Sequence, residues 1–216
     1  MRAIRNSVCV LAILLTSSAA HGDARQLGTR AADAWIATLE NPNRVAGLKI
    51  DEVVSRLRIR PGSTVADIGA GSGVFEGALS AAVTPNGTVY AVDIDQALLD
   101  HIAGRAKTLG LSNVRVVLGK YADPALPVRN VDVALIYDVL HHIKDREAYL
   151  KNLAGYLAPG GRIAVVDFAP GKGGHAKDAE QQITREQTDA WMTAAGLKPV
   201  EEIALFDDKW FVIYAK

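Results

Sequence analysis

Three glycines that follow directly on a strand-like stretch are the most restrictive feature of this chain. Residues 65–73 are Val-Ala-Asp-Ile-Gly-Ala-Gly-Ser-Gly, and a helix-like pattern from Val74 to Val83 comes immediately after them. Glycine tolerates positive φ and has no side chain, so such a turn brings bare backbone N–H groups close to a ligand. In open α/β sheets, nucleotide-like ligands bind beyond the carboxyl end of the first strand. The stretch therefore predicts an α/β fold with a ligand site at this turn.

The spacing of the glycines narrows the choice of ligand. A dinucleotide fingerprint needs the pattern G-x-G-x-x-G, whose third glycine falls at position 74, where this chain has Val74. The chain has G-x-G-x-G instead, at Gly69, Gly71 and Gly73, with an acidic residue before it at Asp67. The pattern argues against a dinucleotide, although a tight strand–helix turn without a ligand would have the same sequence.

Strand-like and helix-like patterns alternate beyond this turn, which predicts a doubly wound, mostly parallel sheet. Two runs near the end of the chain, Lys198 to Phe206 and Trp210 to Ala215, predict a hairpin. The predicted strands are 64–68, 88–93, 114–118, 131–137 and 162–168, and the predicted helices are 29–40, 45–57, 74–83, 96–109, 145–157 and 184–195. Asn41-Pro42-Asn43 is predicted to break the first two helices apart.

Composition limits the number of domains and the class of partner. The chain has 216 residues, 49% of them hydrophobic, which fits one domain with a substantial core. Lys and Arg together number 24, as do Asp and Glu, so no basic excess indicates nucleic acid as a partner. We expect one domain over residues 25–216, with residues 25–57 as an N-terminal helical cap. The sequence does not indicate an oligomeric state.

Residues 1–22 have the three-part pattern of a secretory signal peptide. Arg2 and Arg5 give a positive start, residues 8–15 are an unbroken apolar run, and small residues occupy 17–20. The run is too short to span a bilayer in the usual way, so no stable transmembrane span is expected after cleavage. Cleavage after residue 20 or 22 would also remove the single cysteine, Cys9. We expect a periplasmic or secreted protein, with a membrane-tethered or a cytoplasmic protein as the alternatives.

Acidic residues follow the second and third predicted strands. Asp93 closes the second strand 22 residues beyond Gly71, a spacing at which a carboxylate accepts hydrogen bonds from both ribose hydroxyls of a nucleotide. An NAD enzyme places an acid similarly, and Asp93 could also be a plain strand-end residue. Asp95 is predicted to cap helix 96–109. Asp123 could be the first residue of a turn before Pro124.

The fourth strand ends in a group of residues that can exchange protons. Tyr137, His141 and His142 are the candidate catalytic residues, and Asp138 lies among them. Histidine titrates near neutral pH, so His141 is a candidate general base, although one histidine packing in the core and the other capping a helix is the alternative. Neighbouring helical residues point about 100° apart, so His141 and His142 are not expected to share a metal ion. We expect no metal site.

Four segments together resemble class I S-adenosylmethionine (SAM) dependent methyltransferases, near the small-molecule and ubiquinone-biosynthesis-like group. They are Asp67 to Gly73, Val89 to Asp95, the D-V-x-H-H run from Asp138 to His142, and the L-x-P-G-G run from Leu157 to Gly161. The resemblance implies a Rossmann-like seven-stranded sheet in the order 3-2-1-4-5-7-6, with strand 7 antiparallel and helices on both faces. It also implies SAM as the cofactor and S-adenosylhomocysteine as the product.

The resemblance implies roles for individual residues as well. The implied cofactor-binding residues are Asp67, Gly69, Ala70, Gly71, Gly73, Asp93, Ile94, Ala122, Asp123 and Asp138. Of these, the resemblance implies Asp123 and the backbone at Ala122 as ligands of the adenine, with the turn role of Asp123 as an equal alternative. Residues 25–57 would close the acceptor pocket, with Trp35 as a wall or else as a core anchor. The loop 169–177, which contains His175, is a candidate substrate lid or a simple connector.

The expected activity is methyl transfer from SAM to a small-molecule acceptor whose identity the sequence does not give. Methyl transfer needs mainly alignment of donor and acceptor, and a general base only where the acceptor must lose a proton. Two alternatives stay open. One is an exported SAM-binding protein of the same fold without catalysis, and the other is an NAD(P)-binding oxidoreductase.

Overall fold

Seven strands form one sheet in the computed structural model, which describes residues 32–216. They are β1 Thr64–Ile68, β2 Thr88–Asp93, β3 Val114–Leu118, β4 Val131–Tyr137, β5 Leu157–Phe168, β6 Lys198–Glu202 and β7 Lys209–Ala215. Their order is β3-β2-β1-β4-β5-β7-β6. Only β7 runs antiparallel to its neighbours, β5 and β6, while the other pairs are parallel. The predicted order and the antiparallel strand are confirmed.

The central strands are buried on both faces because their side chains are apolar on both faces. Alternate residues point to opposite sides of a strand, so Val133 and Leu135 of β4 pack into one apolar layer. Ala134 and Ile136 pack into the other layer. Near-continuous apolar runs of this kind are typical of parallel strands covered by helices on both sides.

The helices mostly agree with their predicted positions. They are α1 Ala32–Leu39, α2 Pro42–Gly47, α3 Ile50–Arg56, α4 Glu76–Val83, α5 Gln96–Leu109, α6 Arg146–Ala154 and α7 Arg185–Ala194, with short 3₁₀ helices at Leu140–His142 and Ala179–Gln181. Helix α5 has the predicted bounds, and the predicted cap is confirmed because Asp95 Oδ1 accepts a hydrogen bond from Ala97 N at 2.9 Å. Gly110 ends this helix at a φ of 69°.

The N-terminal cap differs from its prediction in one respect. Asn41 separates two helices, as predicted, but it also caps the start of the second. Its side chain accepts hydrogen bonds from Asn43 N and Arg44 N, and Pro42 occupies the first turn. The single helix predicted over 45–57 is wrong: Lys49, at a φ of 50°, separates α2 from α3. The predicted leader, residues 1–22, lies outside the described residues.

The prediction for the C-terminal strands is also corrected in two places. The Pro159-Gly160-Gly161 run lies inside β5 instead of before it, and Gly160 has a φ of 78° beside a register shift between Val131 and Val133. Strand β6 ends at Glu202, not at 206, although Ile203 N still donates to Phe211 O at 2.9 Å. Within residues 32–216, no helix is long and apolar enough to cross a membrane.

The carboxyl ends of the parallel strands meet at one edge of the sheet. The loops that follow β1, β2, β4 and β5 therefore converge there, as ligand sites of open α/β sheets require. Strand β7 begins at the same edge because it is antiparallel, and Lys209 is the register partner of Phe168. This edge brings together residues that are more than a hundred positions apart in the sequence.

Candidate active site at the carboxyl edge of the sheet

The glycine turn is held against the end of β2 by backbone hydrogen bonds. Gly69, Gly71 and Gly73 have φ values of 72°, 59° and 75°, which L-residues with side chains rarely adopt. The N–H groups of Gly69 and Ala70 donate to Val92 O at 2.8 and 2.9 Å. The predicted turn after the first strand is therefore present, and its backbone is fixed relative to the second strand.

Close packing explains why side chains are absent from this turn. A Cβ atom on Gly69 would lie 2.5 Å from Val139 Cγ2, a distance that folded proteins do not tolerate. A Cβ atom on Gly71 would lie 3.1 Å from Leu39 Cδ1 at the end of α1. Helix α1 of the cap thus covers the glycine turn. Val139, which follows β4, packs against the same turn at Gly69.

Asp93 is tied directly to the glycine turn. Its Oδ2 accepts a hydrogen bond from Gly71 N at 2.9 Å, and its Oδ1 accepts one from Asp95 N at 3.0 Å. Each carboxylate oxygen has a second lone pair, so both oxygens can accept further hydrogen bonds. Burial raises the pKa of Asp93 above its ordinary value. The acid and the turn, which are 22 residues apart, form one structural unit beside Ile94.

Two buried carboxyl groups lie below the turn. Asp67 and Glu76 are only 3% and 2% exposed, and neither Glu76 carboxylate oxygen accepts a hydrogen bond of normal geometry from the described residues. Burial raises the pKa of Asp67 to about 7. Burial and the neighbouring Asp67 carboxylate raise the pKa of Glu76 well above its usual range. Buried polar groups are normally paired, so Glu76 is a candidate partner for a hydrogen-bond donor of a ligand.

The loop after β3 supports the turn interpretation of Asp123. Asp123 Oδ1 accepts from Ala125 N at 2.6 Å and from the Tyr156 hydroxyl at 2.8 Å, which is an Asx turn with an added side-chain bond. The carbonyl of the exposed Ala122 accepts from Asn152 Nδ2 at 2.8 Å. The assignment of Ala122 and Asp123 to adenine stays a prediction.

Tyr137 acts as an anchor between the sheet and the cap. Its hydroxyl donates to Leu48 O at 3.1 Å, and its ring packs 5.0 Å from that of Phe75, centroid to centroid. Burial raises the pKa of Tyr137 above its ordinary value, so the hydroxyl keeps its proton at neutral pH. This geometry suits attachment of the cap better than acid–base chemistry.

Asp138 faces a lysine that the sequence did not single out. Asp138 Oδ2 lies 3.5 Å from Lys209 Nζ, and burial raises the pKa of Asp138 to about 6 although this lysine opposes the rise. Lys209 Nζ lies 3.3 Å from the centroid of the Phe168 ring and 5.9 Å from that of Phe206. Aromatic faces attract a cation electrostatically, so they hold Lys209 at the carboxyl edge.

His141 is paired with an aspartate from the next strand. His141 Nδ1 lies 2.7 Å from Asp167 Oδ1, and the His141 backbone N–H donates to Asp167 Oδ2 at 3.2 Å. Both residues are buried, at 4% and 1% exposure. His142 is half-buried beside it, and burial together with His141 lowers the pKa of His142 to about 4. His142 is therefore neutral at physiological pH.

Comparison with known sequences identifies the family. Residues 66–163 match a sequence profile described as "Methyltransferase domain". The matched span contains the glycine turn, Glu76, Asp93 and the two histidines after β4. The chain belongs to the class I SAM-dependent methyltransferases. The resemblance stated from the sequence is confirmed.

Several curated methyltransferases are similar to this one. It is 30% identical over 164 residues to 27-O-demethylrifamycin SV methyltransferase of Amycolatopsis mediterranei (strain S699), covering 69% of this chain and 59% of that protein. It is 34% identical over 111 residues to nocamycin O-methyltransferase of Saccharothrix syringae, covering 51% of this chain and 40% of the relative. It is 30% identical over 112 residues to the ubiquinone/menaquinone biosynthesis C-methyltransferase UbiE of Pasteurella multocida (strain Pm70), covering 51% and 42%. The chain thus spans less than two thirds of each relative's length.

Solved structures share the fold. A SAM-dependent methyltransferase from Aquifex aeolicus superposes with a TM-score of 0.77 at 22% identity, covering 86% of this chain and 98% of that one. A possible exported protein from Bordetella parapertussis superposes with a TM-score of 0.63 at 17% identity, covering 81% and 68%. At these identities the likeness concerns the fold of the methyltransferase alone.

The structure brings together most of the predicted site of this methyltransferase and adds residues that the sequence reasoning missed. Asp67, the glycines and Asp93 meet at one end of the edge, and Tyr137, Asp138 and the histidines meet at the other. The missed residues are Glu76, Asp167 and Lys209. A signal for Glu76 was present, because it is an isolated acid among apolar residues directly after the glycine turn. Asp167 and Lys209 gave no such signal, since each becomes relevant only through strand pairing.

Proposed function

We propose that this protein transfers a methyl group from SAM to a small-molecule acceptor. The observation that carries the proposal is the unit formed by the glycine turn and Asp93, closed by the 2.9 Å hydrogen bond from Gly71 N to Asp93 Oδ2. Nucleotide sites of open α/β sheets place a backbone-lined turn beside a carboxylate that binds the ribose. The glycine turn and Asp93 supply these two parts side by side. Membership of the methyltransferase family supports the same cofactor.

The charges around the turn fit SAM better than a dinucleotide. SAM has a cationic sulfonium and a cationic ammonium group, whereas NAD has a doubly charged pyrophosphate. The buried acids Asp67 and Glu76 lie directly at the turn, and Glu76 has no donor of normal hydrogen-bond geometry among the described residues. Like charges brought together in a buried site repel strongly. A pyrophosphate would raise the pKa of these two acids further, whereas an ammonium group would stabilise their charged forms. An ammonium group is therefore favoured over a pyrophosphate at this turn.

Each residue then has a stated role in binding. Asp93 would accept hydrogen bonds from the ribose hydroxyls, while Asp67 and Glu76 would accept them from the ammonium group. The glycines keep the surface of the turn free of side chains. When bound, SAM supplies an activated methyl group. The protein's own contribution is to orient that group and to exclude water, which accounts for much of the rate in reactions of this type.

The other end of the edge is suited to a small acceptor with an apolar body. Tyr137, Phe168 and Phe206 present aromatic rings around Lys209. Apolar walls with a few fixed polar groups are typical of small-molecule sites. The relatives' names refer to rifamycin, nocamycin and ubiquinone or menaquinone, all small molecules, which supports the same class of acceptor here.

A methyl-transfer assay tests the proposal. Untagged full-length protein is incubated with SAM labelled on its methyl group and with a panel of phenols, quinols, amines and thiols, and labelled product is counted. We expect label in at least one acceptor, and loss of that signal in Asp93→Ala but not in Asp95→Ala. Saturable SAM binding without transfer to any acceptor would favour a SAM-binding protein without catalysis.

We also propose that residues 1–22 direct export. The charged start, apolar run and small residues support this. Export would favour the alternative of a SAM-binding protein without catalysis, because SAM is made in the cytosol. Cell fractionation followed by N-terminal sequencing tests the proposal. A cytoplasmic protein that begins at residue 1 or 2 would contradict it.

A further inference from the structure

Three histidine side chains converge beside the acceptor end of the edge. The His141 and His142 rings are 4.1 Å apart between centroids, and the His175 ring lies 5.1 and 5.0 Å from them. One nitrogen of each ring lies within 4.8 Å of the corresponding nitrogens of the other two. His175 comes from the loop 169–177, more than thirty residues after the other two, so only the fold brings the rings together.

The sequence argument against a shared metal ion does not apply to this arrangement. That argument used the angle between neighbouring residues of an α-helix, whereas His141 and His142 end a single turn of 3₁₀ helix. Their rings are tilted by 46° and lie in contact. His175, from the loop, adds a third nitrogen donor to those of His141 and His142.

One donor atom is already oriented and lacks a partner. Asp167 is a carboxylate that accepts at Oδ1 from Phe168 N at 2.8 Å and lies 2.7 Å from His141 Nδ1. In the tautomer whose Nδ1 proton is donated to Asp167, Nε2 carries the lone pair. His141 Nε2 is buried and has no hydrogen-bond partner among the described residues. A carboxylate behind a histidine is the arrangement that orients metal-binding histidines in proteins.

We propose that His141, His142 and His175 form a binding site for a divalent transition metal ion of the zinc class. Imidazole nitrogen is a preferred ligand of Zn²⁺, Co²⁺, Ni²⁺ and Cu²⁺. Three histidines with one open position are one of the arrangements by which proteins hold zinc outside purely structural sites. Zinc–nitrogen bonds of about 2.0–2.1 Å place tetrahedral donors roughly 3.4 Å apart. The present spacing of up to 4.8 Å therefore requires the donor atoms to approach one another by up to roughly 1.4 Å. The half-buried His175 can supply part of this approach from its loop.

A small cavity adjoins two of the three histidines, His141 and His175. Phe168, Lys172, Gln181 and Gln182 line it together with His141 and His175. Lys172 and the two glutamines therefore place polar side chains beside the histidines. The metal ion would also fasten the loop 169–177 to the residues that follow β4. The site does not depend on methyl transfer, because none of its three ligands is assigned to SAM.

Metal titration of the untagged full-length chain tests this proposal. Protein dialysed against a chelator is titrated with Co²⁺ while visible absorption is recorded, and then with Zn²⁺ by calorimetry. We expect one Co²⁺ per chain with intense tetrahedral bands that Zn²⁺ displaces, together with a higher melting temperature. His142→Ala and His175→Ala should each weaken Zn²⁺ binding by more than 100-fold. Asp167→Asn, which removes no ligand, should weaken it by about 10- to 100-fold.

His101→Ala is the matched control, because it removes a half-buried histidine that pairs with Glu40 away from the cluster. It should leave the Zn²⁺ affinity unchanged. The melting temperature of each variant without metal shows whether it is folded, and His175→Ala removes only a half-buried loop side chain. Absence of the cobalt bands, or equal affinity loss in His101→Ala and His175→Ala, would overturn the proposal.

Discussion

The two ends of the carboxyl edge differ in how they are built and in what charge they carry. The cofactor end, comprising the glycine turn, Asp67, Glu76 and Asp93, comes from 27 consecutive residues and has carboxylates without a buried cation. The acceptor end combines residues that follow β4 and β5 with the start of β7, and it contains Lys209, aromatic rings and histidines. The first end is suited to one cationic ligand. We predict that substitutions at Lys209 alter the second end without altering the first.

The contact between Gly69 and Val139 joins the two ends and gives the largest expected effect. Gly69→Ala places a methyl group 2.5 Å from Val139 Cγ2 at a φ of 72°, and strain plus overpacking together cost about 3 kcal/mol or more. Urea denaturation should show this loss of unfolding free energy. Gly104→Ala is the control, since a Cβ there meets nothing within 4 Å and should stabilise helix α5 by up to about 1 kcal/mol. Equal effects of the two variants would contradict the packing account.

Asp93 should determine cofactor affinity without affecting the acceptor end. Hydrogen bonds to a charged group contribute about 1.5–3 kcal/mol, so Asp93→Ala should weaken SAM binding by roughly 10- to 100-fold in calorimetry. Asp95→Ala removes only the cap of α5 and should cost about 1 kcal/mol of stability with SAM affinity unchanged. Unchanged SAM affinity in Asp93→Ala would refute the ribose assignment.

The buried acids of the cofactor end predict a pH dependence of stability without ligand. Burial raises the pKa of Asp67 to about 7, so between about pH 4 and 7 the folded protein keeps a proton that the unfolded chain has lost. The free energy of unfolding should therefore fall as pH rises through this window, and the raised pKa of Glu76 extends the fall to higher pH. Between pH 5 and 8, Asp67 should lower the free energy of unfolding of the unsubstituted protein by about 2 kcal/mol. Asp67→Asn should abolish this contribution. The exposed Asp100→Asn should leave the slope unchanged, and a similar slope in Asp67→Asn would contradict the account.

Lys209 gives the smallest expected effect and tests the separation of the two ends. Lys209→Met removes the cation from the aromatic rings but keeps an apolar side chain of similar length. SAM affinity should change by less than about twofold, while kcat/KM for the best acceptor in the panel should fall by roughly tenfold, or about 1.4 kcal/mol. The exposed Lys198→Met is the control and should alter neither quantity. A larger change in SAM affinity than in kcat/KM for the acceptor would contradict the separation of the cofactor end from the acceptor end.

Features encoded by neighbouring residues were predictable from the sequence. The strand order followed from the family motifs, and the cap at Asp95 followed from local chemistry. The break at Lys49 was not predictable, because lysine has no preference for a left-handed conformation and packing selects it. The pairing of His141 with Asp167 across 26 residues, and the approach of His175, depend on tertiary structure alone. The leader at residues 1–22 lies outside the described part of the chain and stays a prediction.

Titration with two cofactors tests the central claim most directly. Full-length untagged protein at neutral pH is titrated separately with SAM and with NAD in a calorimeter, and Asp93→Ala is titrated in parallel. We predict saturable binding of one SAM per chain, no saturable NAD binding, and weaker SAM binding by the variant. Saturable NAD binding without SAM binding would show that the turn at Gly69 to Gly73 holds a pyrophosphate, and would contradict the proposed function.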